Sequence, residues 1–259
     1  MPNNKCILEL LEHDHVIGCG DFVSTLEKRM LINNNGSVAP ESIKKIQYDL
    51  IESGSKVIQT PNKETCLIAR EVGYDRDILV AGRISGTQHS SMKTRQMEEV
   101  KSDFRKQCEI FKNKVDFMVV DHFENVQECE WAIDVVKEII DCPVLASLLV
   151  SKHGDLKGIS CEDCAVRMVQ SGADIIGINC NFGPIYNLDI LSMMKKGLEE
   201  AGVLENVYLS CHLLSHGTIY DVQDFTRQAC DMGVRYIGCY GFEPRLVRIL
   251  HDKLNNGWK

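Results

Sequence analysis

Gln170-Ser171-Gly172-Ala173-Asp174-Ile175-Ile176-Gly177-Ile178-Asn179-Cys180 holds the end of a helix, a turn and a buried strand in one stretch. An amphipathic pattern over 161–171 runs into Gly172, where a left-handed residue closes a helix. The residues that follow are apolar almost without a break, as in a strand covered on both faces of a parallel sheet. The same punctuation recurs at Glu52-Ser53-Gly54-Ser55 and Asp231-Met232-Gly233-Val234. Outward from these points, strands are predicted at 15–19, 56–60, 78–83, 115–121, 143–148, 174–180, 207–211 and 234–239. Helical patterns lie between them at 40–53, 93–113, 126–140, 161–171, 188–201 and 221–232. A last helix starts near Glu243-Pro244, with proline in its permitted first-turn place. The stretch 61–73 is short, so one unit is expected to be trimmed. Strict alternation over eight units predicts a single α/β domain over 1–259, closed as a (β/α)8 TIM barrel.

Composition narrows the function classes. The chain has 259 residues, 44% hydrophobic and 25% charged, enough to bury a large core. Its formal net charge of -8, with no basic patch beyond isolated pairs such as Lys44-Lys45 and Lys195-Lys196, disfavours nucleic acid and anionic membrane as partners. No apolar run reaches the length of a membrane span. The start carries a short apolar patch interrupted by Glu9 and Glu12, a poor signal peptide. Twelve cysteines in a chain this long, many within helices or at strand ends, read as reduced thiols in a cytoplasmic protein.

In such a barrel the chemistry gathers where strands end. The residues there are Cys19-Gly20-Asp21, Thr60, Asp121-His122-Phe123-Glu124, Asn179-Cys180-Asn181, Cys211-His212 and Cys239-Tyr240. Thiols facing one another across the mouth would suit a soft metal ion. The alternative is that each cysteine packs as a small apolar residue. Cys161-Glu162-Asp163-Cys164 has metal or redox spacing but no second pair, so it reads as the start of a helix.

Several stretches resemble the betaine–homocysteine S-methyltransferases, in order and over nearly the whole chain. They are Val16-Ile17-Gly18-Cys19-Gly20-Asp21-Phe22-Val23, Val115-Asp116-Phe117 with Phe123-Glu124-Asn125-Val126, Gly154-Asp155-Leu156-Lys157-Gly158, Ala173 to Cys180, and Gly233 to Pro244. The resemblance implies transfer of a methyl group from betaine or a sulfonium donor to the thiol of homocysteine. It also implies a zinc ion held by one cysteine after the sixth strand and two after the eighth, lowering the pKa of the acceptor thiol. Cys180 matches the first ligand and Cys239 one of the other two. Tyr240 takes the place of the remaining cysteine, because Gly238-Cys239-Tyr240-Gly241 is one residue shorter than the family pattern. A third ligand is therefore sought in Cys19, Cys211 or His212. Asp21 and Glu124 are the expected substrate-binding carboxylates, although Cys19 stands where the family commonly has an aspartate.

Other departures accompany these. The short Pro61-Asn62-Lys63-Glu64 link replaces a long substrate-contacting loop, the stretch after His212 is reduced, and a long C-terminal arm has no counterpart. Two readings follow: a zinc-dependent thiol methyltransferase with rebuilt ligands, acting on a small thiol and a methyl donor, or a barrel kept as a binding or interaction protein after catalysis was lost. The sequence leaves the oligomeric state open.

Overall fold

The computed structural model describes residues 6–20, 25–26, 38–86, 96–180, 184–214 and 219–258. Eight parallel strands close in chain order into one barrel. They are β1 (Val16–Gly20), β2 (Val57–Thr60), β3 (Leu79–Ser85), β4 (Phe117–Phe123), β5 (Val144–Leu148), β6 (Ile175–Cys180), β7 (Tyr208–Leu214) and β8 (Val234–Tyr240). A short α1 (Ile7–His13) precedes β1. The strands are then followed in turn by α2 (Pro40–Glu52), α3 (Lys63–Val72), α4 (Met97–Phe111), α5 (Val126–Ile139), α6 (Cys161–Gln170), α7 (Pro184–Glu200), α8 (Ile219–Asp231) and α9 (Pro244–Asn256).

Two of these helices differ from the sequence reading. The unit after β2 is complete: Asn62 accepts the Thr65 amide at 3.0 Å as a cap, and ten helical residues follow. The N-terminal apolar patch is α1, which buries Ile7 and Leu11 one turn apart and leaves Glu9 and Glu12 in solvent. It closes the floor of the barrel, where Ile7 and Leu11 pack on Val57, Leu79, Phe117, Leu145 and Ile175. Aspartates tie the strand starts together. Asp116 accepts the Val80 amide (2.7 Å) and two bonds from Arg70, and Asp174 accepts the Val144 amide (2.8 Å).

Strand parity decides what reaches the lumen, because successive side chains point to opposite faces. A Cβ on Gly18 would lie 1.8 Å from the Tyr236 hydroxyl, and one on Gly20 2.8 Å from the Tyr240 ring. A Cβ on Gly238 would lie 2.9 Å from the His212 ring. These glycines face inward, so Cys19 and Cys239 between them face the helices. All twelve cysteines are free thiols. Among the described residues no helix is long and apolar enough to cross a membrane.

Candidate functional site

The lumen of the upper barrel is filled by a polar cluster centred on Asp121. The β4–β5 register breaks between Val120 and Phe123, and His122 takes a left-handed backbone (φ 59°). That conformation is costly for a non-glycine residue and persists only where its surroundings hold it. Asn179 on β6 does so: its Oδ1 accepts the His122 amide (3.0 Å) and the Ser147 hydroxyl (3.0 Å). The bulge sets Asp121 into the lumen and leaves His122 partly exposed above it.

Arg83 on β3 donates through Nε to Asp121 Oδ1 (2.7 Å), where Ser85 also donates (3.2 Å), and its other arm lies 3.1 Å from His122 Nδ1. The same guanidinium lies 5.0 Å from the centre of the Tyr240 ring, within cation–π range. The Tyr240 hydroxyl lies 2.5 Å from Asp121 Oδ2, 2.7 Å from His212 Nδ1 and 2.7 Å from the Gln59 carboxamide, which also reaches the Tyr236 hydroxyl at 2.8 Å. A phenol has one proton, and it is donated in a hydrogen bond to the ionised carboxylate. The His212 Nδ1–H and the Gln59 amide, whose two ends are interchangeable in such a network, then satisfy the phenol oxygen.

Electrostatics agree with this assignment. Burial alone pushes the Asp121 acid up, but the Arg83 guanidinium and the adjacent His122 and His212 rings outweigh it and hold the carboxyl well below the usual range. Burial lowers His212 below its ordinary value against the pull of Asp121, so it is neutral near pH 7. Its Nε2 is buried with no partner among the described residues.

Glu124 follows the bulge, half-buried. The turn that carries it is tied to the 149–160 segment: the Leu156 amide donates to the Glu124 carbonyl (2.7 Å), and Asp155 accepts the Val126 amide at the start of α5 (2.9 Å). Asp155 also accepts the amides of Lys157 and Ile159, which gives the Gly154-Asp155-Leu156-Lys157-Gly158 motif a structural role. Asp21, the other expected substrate carboxylate, lies outside the described residues.

The cysteines lie near the expected end of the barrel but do not face one another across it. Cys19 and Cys239 are register partners on β1 and β8, with their thiols side by side. Cys180 is level with Leu213, which is level with Cys239, and Cys211 lies two residues lower beside Ile178. All four belong to the apolar layer between strands and helices. The neighbouring Cys19 thiol and burial hold the Cys239 thiol well above its ordinary pKa, and burial does the same for Cys180 and Cys211. Among the described residues no three His, Cys, Asp or Glu side chains stand close enough to hold a metal ion. The ligand set expected at Cys180, Cys239 and one of Cys19, Cys211 or His212 is therefore not assembled, and zinc does not fit these residues as placed. The physical reason is parity: Tyr240, not Cys239, points into the lumen.

A closed parallel barrel with a charged, hydrogen-bonded cluster at the C-terminal ends of its strands has the architecture of a (β/α)8 enzyme. The family model described as homocysteine S-methyltransferase matches residues 61–254. Betaine–homocysteine S-methyltransferase 1 of Danio rerio is 33% identical over 308 residues, covering 98% of this chain and 76% of that protein. S-methylmethionine–homocysteine S-methyltransferase BHMT2 of Pongo abelii is 36% identical over 296 residues, covering 96% and 81%. The apo crystal structure of the homocysteine methyltransferase MmuM from Escherichia coli superposes with a TM-score of 0.74 at 17% identity, covering 95% and 97%, a likeness of fold. The chain belongs to the homocysteine S-methyltransferase family.

Sequence reasoning placed Asp121, His122, Asn179, His212 and Tyr240 at strand ends but gave binding roles only to Asp21, Glu124, the cysteines and His212. Arg83 and Gln59 were missed. Charged or amide side chains inside otherwise apolar strands were the available signal, since such groups are buried only with partners.

Proposed function

We propose that this chain transfers a methyl group to a homocysteine-type thiol at the C-terminal mouth of the barrel, with a small onium compound such as betaine or a sulfonium as donor. The observation that carries this reading is the family match over 61–254, supported by relatives at about one-third identity whose names specify homocysteine as acceptor. In the reaction the acceptor S–H bond breaks and its proton leaves to solvent. An S–CH3 bond forms as the donor's C–N or C–S bond breaks, releasing a neutral amine or thioether.

The chain's own residues would contribute position and charge. Preorganised dipoles and fixed geometry supply much of the catalysis in a direct displacement. The bulge at Asp121–His122 puts a neutralised carboxylate, an imidazole and the Arg83 guanidinium at one end of the lumen. Glu124, held by the turn beside them, is proposed to hold the acceptor's ammonium group. Asp21 keeps the same proposed role.

The test is methionine formation from homocysteine with betaine or S-methylmethionine by the purified, reduced protein. Methionine is expected from at least one donor. Glu124→Gln is expected to raise the acceptor KM about tenfold, as for loss of a hydrogen bond to a charged group, with unfolding unchanged. A folded protein that forms no methionine with either donor overturns the reading.

A further inference from the structure

We infer that Tyr240 occupies the place of a metal ion at the barrel mouth, so that this chain holds no zinc there. Two sulfurs sharing one tetrahedral zinc lie about 3.8 Å apart, given bonds of about 2.3 Å. Cys180 and Cys239 sit on β6 and β8 with β7 between, and the buried Leu213 stands level with both. Two strand spacings of about 4.8 Å each separate their backbones. Their thiols lie in the layer facing the helices, on either side of a leucine.

Bringing Cys239 inward requires β8 to slip by one residue, which turns every side chain of the strand over. Tyr236 and Tyr240 would then leave the lumen. Asp121 and Gln59 would lose the phenol, His212 Nδ1 would lose its partner, and the space above Gly18 and Gly20 would pass to the smaller Ile237 and Cys239. The glycines of β1 and the tyrosines of β8 match one register only. Of the three alternative ligands, Cys19 lies beside Cys239 in the same outward layer, Cys211 lies below the row, and His212 points into the lumen, on the opposite face from the thiols.

The experiment is zinc content by mass spectrometry of the reduced protein after incubation with zinc chloride and desalting, with thermal unfolding in zinc and in EDTA alongside. Only traces of zinc and the same midpoint in both are expected. Near-stoichiometric zinc that disappears in Cys180→Ala or Cys239→Ala, or a midpoint that rises with zinc in the wild type but in neither variant, overturns the inference. Zinc retained equally by both variants is bound elsewhere and supports it. The outcome is separable from the methyl-transfer reading: a zinc-loaded protein that forms methionine refutes only this inference, and a zinc-free protein that forms none refutes only that reading.

Discussion

Burial of Asp121 favours its neutral acid, and Arg83 with the neighbouring hydrogen bonds reverses that preference. The Tyr240 phenol is the third party to this arrangement. Tyr240→Phe keeps the ring but leaves His212 Nδ1 and the Gln59 amide without their shared acceptor. A stability loss of about 1–3 kcal/mol is expected, read from the urea midpoint. No change in midpoint would remove the phenol from the network. His212 makes a pH prediction. Its folded pKa lies below the ordinary 6.5, so between the two values the unfolded chain carries a proton that the folded chain lacks. Its contribution is therefore present above about 6.5 and is lost as pH falls toward the folded value, by up to about 1.4 kcal/mol per pH unit. Unfolding free energies of wild type and His212→Gln should diverge from pH 5.5 to 7.5, with the wild type gaining more. Parallel curves would contradict the assignment. These residues were visible in the sequence at strand ends; their partnerships were not, because each joins strands far apart in the chain.

At the scale of elements, β1 and β8 form a complementary pair. Gly18 and Gly20 leave room that Tyr236 and Tyr240 fill from the neighbouring strand. Gly18→Ala would put a methyl group 1.8 Å from the Tyr236 hydroxyl, and overpacking of this kind typically costs about 1–3 kcal/mol. The thermal midpoint should fall, with partial recovery in Gly18→Ala combined with Tyr236→Phe. If Gly18→Ala melts like wild type, the proposed register of β1 against β8 is wrong. Strand positions were readable from apolar runs between capped helices. Strand parity was not, since a strand buried on both faces carries no alternation to show which residues point inward. That is why four cysteines at strand ends suggested a cluster across the mouth, whereas the structure packs them under the helices. α1 was overlooked for a different reason: only Ile7 and Leu11 are fully buried in it, and the pair becomes informative only once a barrel floor exists for it to cover.

At the scale of the whole molecule, the eightfold alternation and the family resemblance agree with the closed barrel and the match over 61–254. The shared fold leaves the chemistry of the mouth to local residues, since function resides in sites carried by a fold. In this chain one position in β8 separates a lumen lined by thiols from one closed by a phenol on a buried carboxylate. The most direct measurement is anomalous diffraction at the zinc edge from crystals of the reduced protein grown with zinc. The account predicts no anomalous peak at the mouth and the Tyr240 hydroxyl within hydrogen-bond distance of Asp121. A peak there with the Cys180 and Cys239 sulfurs about 2.3 Å away would contradict it.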